Sequence, residues 1–398
     1  MIADLKSYLY IYIGFLMEAI IVFCTMSEQK GTVSLVFTLT FLWIVMFYFH
    51  TERYTYRQGY LNVLVLSTIF FSFLNVFAFA PTGDFDYFKK VIMFSCFMLL
   101  LYANTKYVLT LRQTNQIILI NILVSLLYLI FYRQGYSFYE GKMLLTLKFN
   151  NPNETGMFIL NSLLYTTIPL FTYRQLCIKK IFLPILLLII FFLSYVMFLT
   201  GCRSSFLSYA VFVFFVLLDF AFFKYFKVKH IWIFIWAIAP FLFALVYLSY
   251  SQLLKGTDVS FGFGEGKSSS TRLIVWVPAM DAIKHNIIFG DYFGISNGSG
   301  RSQMHNTHLD VLASYGLLPF VLFVSSLYKA VENCLTEDMS RINRFGLYAF
   351  MVCFISGTFE ASLVAGGAGI YILSCGFLLI AKSNVYINSG SYDELYYY

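Results

Sequence analysis

The chain has 398 residues, of which 60% are hydrophobic, 20% aromatic and only 12% charged. A chain of this kind has too few polar side chains to cover a water-soluble fold, so a soluble protein is excluded. The formal net charge of +7 does not indicate a nucleic-acid partner, because the Lys and Arg residues are scattered between apolar runs. The composition predicts an integral membrane protein whose surroundings are a lipid bilayer.

Apolar runs long enough to cross roughly 30 Å of hydrocarbon as helix recur along the whole chain. We therefore predict an all-α fold: a single membrane domain over residues 1–398, built as a polytopic bundle of about 12 transmembrane helices. The predicted spans are 8–26, 33–49, 61–80, 91–103, 117–132, 157–173, 181–199, 206–223, 231–251, 309–327, 345–359 and 363–381.

The loops between these spans differ in their Lys and Arg content, which is highest in cytoplasmic loops. One alternating set of loops holds most of the basic residues, among them Arg53, Arg112, Lys179 and Arg341. This asymmetry places both termini in the cytoplasm, including the short polar tail 385–398. It also predicts that one large extracytoplasmic loop, residues 252–306, faces outward together with Arg203.

The stretch 268–315 gathers polar and basic residues that the rest of the chain lacks. Residues 272–285 within it have apolar side chains on roughly one helical face, and Trp276 among them suits a membrane interface. Pro278 is expected to kink this helix or to mark a later start. We predict that the chemistry of the protein takes place in this outer loop.

Three arginines on the outer side are candidates for binding a diphosphate. Neither nucleotide sugars nor ATP are available outside the membrane, so a sugar donor there must arrive already activated, as on a polyprenyl diphosphate. Arginine stays protonated, and its planar fork can hold two phosphate oxygens. Arg203, Arg272 and Arg301 are therefore expected to stabilise the charge on the departing diphosphate, although each could equally be an ordinary interfacial arginine.

His305 is the candidate general base, because an imidazole could accept the proton of an attacking sugar hydroxyl. Asn306 and His308 follow at the start of a predicted helix and are expected to contact substrate, although a helix-capping role is the alternative. Asn153, in a second outer segment, and Glu360, in a tight outer turn, are further expected substrate contacts.

Carboxylates could act in place of His305, and several lie on the predicted outer side. Asp84 and Asp86 have metal-binding spacing, but Lys89 and Lys90 beside them favour a solvated interfacial turn. The cysteines occur singly and without CxxC spacing. We expect no metal ion and no other cofactor. The further acidic candidates are Glu154, Asp258, Glu265, Asp281, Asp291 and Asp310.

Four segments together resemble the bacterial O-antigen ligase and O-antigen, capsule or exopolysaccharide polymerase family. They read TRLIVW from Thr271, IIFGDYFG from Ile287, HNTHLDVLASYGLLPFVLF from His305, and LTGCRSSFLSY from Leu199. NNPNETG, before the predicted span 157–173, resembles a further family segment. Cys202 stands where the family more often has Ser or Thr, and Pro278 is atypical.

The resemblance implies a metal-independent, inverting glycosyltransferase on the outer face of a bacterial cytoplasmic membrane. The donor and acceptor would be polyprenyl-diphosphate-linked oligosaccharides, with Arg203 and Arg272 at the diphosphate and His305 at the acceptor hydroxyl. A chain-length regulator and a flippase would be possible partners. Three functions stay open: a polymerase, which we favour; a ligase that moves a finished glycan to another acceptor; and a flippase or exporter of lipid-linked sugars.

Overall fold

The computed structural model describes most of the chain. The described residues are 11–16, 30–54, 59–79, 85–131, 135–139, 142–147, 152–222, 230–253, 268–290, 305–335, 339–358 and 370–384. They are mostly helical, which confirms the helical fold class expected from the sequence.

Thirteen α-helices make up the described bundle, besides the short helical segment 11–16 and a 3-10 turn at Lys180–Phe182. They are α1 (Lys30–Tyr54), α2 (Tyr60–Phe79), α3 (Phe85–Lys106), α4 (Leu111–Phe131), α5 (Pro152–Thr172), α6 (Leu183–Thr200), α7 (Arg203–Phe222), α8 (His230–Leu253), α9 (Ser268–His285), α10 (Thr307–Tyr315), α11 (Leu317–Cys334), α12 (Arg341–Ser356) and α13 (Ile370–Ala381).

Six helical segments in the described residues are long and apolar enough to cross a bilayer. They lie in α2, α4, α6, α7, α8 and α11. The chain is therefore a multi-pass membrane protein. The expected total of about 12 spans stays a prediction, as do the orientation of the termini and the division into residues 1–398, 252–306 and 385–398.

The helices differ sharply in how much of their surface the protein covers. Helix α5 is buried along nearly its whole length, and it packs against α4, α6, α7, α12 and α13. Only 17% of the span formed by α6 is buried, and exposed side chains such as Leu188 and Phe191 line it. Helix α5 is thus central to the bundle, while α6 lies at its lipid-facing edge.

A small antiparallel hairpin interrupts the helices between α4 and α5, which the sequence did not predict. Its strands are β1 (Tyr136–Tyr139) and β2 (Lys142–Leu145), with Tyr136 opposite Leu145 and Phe138 opposite Met143. An isolated two-stranded hairpin is marginally stable in water. Here its base is fixed to the bundle, because the Tyr128 hydroxyl donates to the Leu147 carbonyl at 2.7 Å.

A buried ionic cluster joins α7 to α12. Arg344 donates from Nε and Nη2 to the two carboxylate oxygens of Asp219, at 2.6 and 3.0 Å. Asp219 is 2% exposed, and the Tyr348 hydroxyl donates to the same carboxylate at 3.3 Å. A paired carboxylate of this kind holds helices together, and we call this side of the bundle the Asp219 end.

The predicted span 309–327 is a broken helix rather than a continuous one. Helix α10 ends at Tyr315, Gly316 has a φ of +86° and a ψ of −179°, and α11 begins at Leu317. At the break, backbone groups at the ends of both helices lack partners within their own helix, and other parts of the chain supply hydrogen bonds to them. The Leu317 amide donates to the Ile287 carbonyl at 2.8 Å, and the Asn75 side chain donates to the Tyr315 carbonyl at 2.5 Å.

Two glycines make this break possible. Gly290, with a φ of +78°, follows α9 and packs directly against Gly316. A Cβ at Gly316 would lie 2.2 Å from the Ile288 carbonyl oxygen, and one at Gly290 would lie 2.7 Å from the Gly316 nitrogen. The glycines of the two sequence segments IIFG and SYGLL are therefore parts of one contact.

We expect Gly316→Ala to lower the free energy of unfolding by about 1–3 kcal/mol through backbone strain alone, with a further loss from the overlap at Ile288. Gly59→Ala is the matched control, because a Cβ there meets the end of the flexible Lys106 side chain. Thermal unfolding of the purified proteins in detergent measures the difference. Equal melting temperatures for the two variants would contradict the proposed contact.

Candidate active site

Arg203 lies on the turn between α6 and α7, at the end of the bundle opposite the Asp219 end. Gly201, with a φ of +66°, ends α6. Arg203 is the first residue of α7, and its side chain is exposed. Sixteen residues of helix separate Arg203 from Asp219, which corresponds to about 24 Å. We call this side the Arg203 end.

The start of α5 packs against the Arg203 turn. Cys202 is buried, and its Sγ lies 3.9 Å from the Asn153 carbonyl oxygen and 3.2 Å from the Ser205 hydroxyl. A Cβ at Gly156 would lie only 2.3 Å from the Cys202 Cβ. Gly156 thus lets the segment with Asn153 reach the turn with Arg203, although these segments are distant in sequence.

We expect Gly156→Ala to push α5 away from the Arg203 turn and to lower activity by about 10-fold or more, since small misplacements in active sites are costly. Cys202→Gly removes the opposing Cβ, so the double variant Gly156→Ala/Cys202→Gly should recover most of the activity. Product formation and melting temperature are measured for both. Equal activities of the single and double variants would refute this contact.

His305 precedes α10 in a backbone conformation that is uncommon for a non-glycine residue. Its φ is +48°, and its side chain is half-buried. Asparagine, aspartate and histidine are the non-glycine residues most often found in this region. Such strain costs about 1–3 kcal/mol and persists only where the surroundings enforce it, often at functional sites.

Contacts around the start of α10 hold His305 in this backbone conformation. The Asn306 side chain accepts a hydrogen bond from the Leu309 amide at 2.9 Å and so caps α10. Its Nδ2 also donates to the carbonyls of Pro240 and Thr358, at 2.9 and 3.0 Å. Since Asn306 is fully buried, it fixes the start of α10 to α8 and to the turn that follows α12.

His308 is likewise buried, and its Nε2 donates to the Ala237 carbonyl at 2.6 Å. Helix α8 continues through Pro240, which lacks an amide hydrogen and so leaves a carbonyl of the preceding turn without its usual helical donor. In this region the carbonyls of Ala237 and Pro240 accept hydrogen bonds from His308 and Asn306 at the start of α10. Asn306 and His308, which the sequence suggested as substrate contacts, have their donors directed at backbone carbonyls, so we assign them to holding α10.

His305 lies at the Arg203 end. Helix α12 begins next to the Asp219 cluster, where Arg344 lies in its first turn. Gly357 follows the last turn of α12 and is thirteen residues further along, which corresponds to about 20 Å. The Thr307 amide donates to the Gly357 carbonyl at 2.9 Å, which places the start of α10 at that level. Arg203 and His305 therefore lie at similar heights on the same side of the bundle.

Arg272 lies in the first half of α9, and only its backbone is described. One turn later, Trp276 is fully buried and packs edge-to-face on Tyr247 of α8, with the ring centroids 5.5 Å apart. Trp276 is therefore packed inside the protein rather than exposed to lipid headgroups, and its level in the membrane stays a prediction. Helix α9 continues through Pro278, so the proline marks no later helix start.

Two of the expected substrate contacts, Arg301 and Glu360, lie outside the described residues. So do the acidic candidates Asp258, Glu265 and Asp291. In the described part of the chain, no three His, Cys, Asp or Glu side chains are grouped so that they could hold a metal ion.

Lys90 is a residue whose importance the sequence did not reveal. Expected in a solvated turn, it is instead buried in α3, where its Nζ donates to the Asp310 carboxylate at 2.8 Å and to the Ser314 hydroxyl at 3.2 Å. Asp310 is 1% exposed. This pairing also argues against Asp310 as the base, because its carboxylate is buried and already binds a cation.

The part of the chain that contains Arg203 and His305 is similar in sequence to a known protein family. Residues 188–324 match the family model described as O-antigen ligase. The resemblance inferred from the sequence is thereby confirmed. No match was found among curated proteins or among solved structures.

The O-antigen ligase segment begins within α6 and ends within α11. It contains Arg203, Arg272, Arg301 and His305, and also the contact between Gly290 and Gly316. Asn153 and Lys90 lie before it, and Glu360 lies after it. The match supports a function of the O-antigen ligase or polymerase type, carried out by a membrane enzyme that acts on lipid-linked glycans.

Proposed function

We propose that the protein is a polysaccharide polymerase that joins polyprenyl-diphosphate-linked oligosaccharide units on the outer face of a bacterial cytoplasmic membrane. The observation that carries the proposal is the placement of Arg203 and His305 at one end of the bundle, within the segment that matches the O-antigen ligase family. The polymer would be an O-antigen, capsule or exopolysaccharide.

In the proposed reaction, a hydroxyl oxygen of the acceptor sugar attacks the anomeric carbon of the donor sugar. The bond between that carbon and the diphosphate oxygen breaks, and the polyprenyl diphosphate leaves with the bonding electrons. His305 accepts the hydroxyl proton, while Arg203 and Arg272 stabilise the negative charge on the leaving diphosphate. Attack opposite the leaving group inverts the anomeric centre, and no metal ion is required.

The position of each group suits its role. Arg203 is exposed at the end of a lipid-facing helix, where a diphosphate at the membrane surface could reach it. Each charge-assisted bond from an arginine to a phosphate contributes about 1.5–3 kcal/mol. His305 lies at the N-terminal end of α10, where the helix dipole favours a negatively charged substrate nearby. Asn153, Arg301 and Glu360 remain proposed sugar contacts.

A reaction with defined substrates tests the proposal. The purified protein is reconstituted in vesicles with a lipid-linked single repeat unit on the accessible leaflet, and the products are separated by mass. A ladder of products that differ by one repeat unit supports the polymerase. No elongation until a separate core acceptor is added would support a ligase, and movement of the lipid across the bilayer without new bonds would support a flippase.

A further inference from the structure

The Lys90 side chain connects α3 to α10 through a buried ionic contact. Its partners Asp310 and Ser314 lie one turn apart on α10, and the ion pair measures 2.8 Å. The side chains of Lys90 and Asp310 are 8% and 1% exposed. Lys90 thus holds two successive turns of the helix that begins two residues after His305.

A buried ion pair is an expensive way to join two helices. The loss of hydration largely offsets the attraction between the charges, so apolar side chains of similar volume are often as stable or more so. What an ionic contact adds is register, because its bonds are directional and fix one helix at one height and rotation. At α10 this register matters, since the helix has nine residues and is broken at Gly316.

The rest of α10 is fixed at its two ends. Asn306 holds the first turn to α8 and to the turn after α12, and Asn75 holds the Tyr315 carbonyl at the last turn. Lys90 acts between these points, from the side of α3. Asp310 lies five residues after His305, so a shift of α10 along α3 would move His305 by a similar distance.

We propose that Lys90 is a positioning residue for the reaction, which fixes the height and rotation of α10 through Asp310 and Ser314 and thereby sets the place of His305. The inference rests on the proposed function. Lys90 touches no reacting atom in this scheme, and its effect is transmitted through the helix.

The test uses a double variant, because either single variant removes one member of the buried ion pair and is expected to reduce the amount of folded protein. Lys90→Met/Asp310→Leu replaces both charges by apolar groups and should fold. We expect its kcat for polymer formation to fall at least 10-fold, while the KM for the lipid-linked unit stays within twofold. Lys90→Arg retains the charge and should recover part of the lost kcat.

A matched control removes a buried ion pair at the other end of the bundle. Asp219→Leu/Arg344→Met eliminates a comparable contact about 24 Å along α7 from Arg203, and its kcat should stay within twofold of the unaltered protein. If the Lys90 double variant folds and also keeps its full kcat, the pair is only a structural contact and the inference fails.

A second measurement does not depend on activity. His305→Cys is introduced into a protein whose other cysteines have been replaced, and the rate of its modification by a water-soluble maleimide is compared with and without the Lys90 double substitution. We expect the rate to change at least threefold, and an unchanged rate would overturn the inference. If the unaltered protein forms no polymer, the proposed function fails, while this labelling result still decides whether Lys90 positions residue 305.

Discussion

His305→Asn is expected to lower polymer formation by about 10²- to 10⁴-fold, the usual contribution of a general base. Asparagine suits this experiment better than alanine, because it tolerates the left-handed backbone conformation that His305 adopts with its φ of +48°. The substitution removes the imidazole without adding backbone strain. The rate of product formation at saturating lipid-linked substrate measures the effect, and the melting temperature should stay close to that of the unaltered protein.

His285→Asn provides the matched control. This histidine is exposed at the end of α9, and its ring nitrogen contacts the Asp281 carbonyl oxygen at 2.6 Å. Its removal should change the rate less than twofold. A His305→Asn protein that forms polymer at the normal rate would refute the role of the imidazole as base and return attention to the acidic residues of the outer loop.

Arg203→Ala is expected to reduce kcat/KM by about 10- to 150-fold, which corresponds to the loss of one charge-assisted bond to phosphate. Arg203→Lys should recover only part of this loss, since an ammonium group cannot hold two phosphate oxygens in the planar geometry of arginine. Because Arg203 is exposed, neither variant should alter the melting temperature appreciably. The effect is measured as kcat/KM for the lipid-linked unit.

The control for Arg203 is Arg174→Ala, which removes an exposed arginine that follows α5 at the Asp219 end and bonds to the Tyr173 hydroxyl. Both substitutions remove one exposed arginine, so a general effect of losing a surface arginine on folding or on membrane insertion would appear in both. A loss confined to Arg203 supports the diphosphate contact. Equal losses would contradict it.

The sequence predicted several of the helices well because long apolar runs leave few alternatives in a membrane. The predicted runs 61–80, 117–132 and 231–251, for example, correspond closely to α2, α4 and α8. The break at Gly316 was missed, since a glycine in an apolar run is common in membrane helices and its contact with Gly290 is tertiary.

The candidate site was only partly predictable from the sequence, because several of its contacts are likewise tertiary. Arg203 and His305 stand out as polar residues beside apolar helices, so their candidacy follows from the sequence. The partners of Asn306 are backbone carbonyls in α8 and in the turn that follows α12, which no residue type reveals. Lys90 and Asp310 are separated by 220 positions, and the local surroundings of Lys90 suggested a solvated turn.

The lipid-facing helix α6 has a consequence for the membranes in which the enzyme can work. With the 3-10 turn Lys180–Phe182 before it, α6 forms an apolar span of 21 residues, which measures about 33 Å, slightly more than the roughly 30 Å of a typical hydrocarbon layer. Such a span has little spare length with which to tilt, so a markedly thicker bilayer must thin around it or draw Arg203 below the phosphate layer. The length of the lipid acyl chains therefore affects how far the Arg203 guanidinium lies from the lipid headgroups.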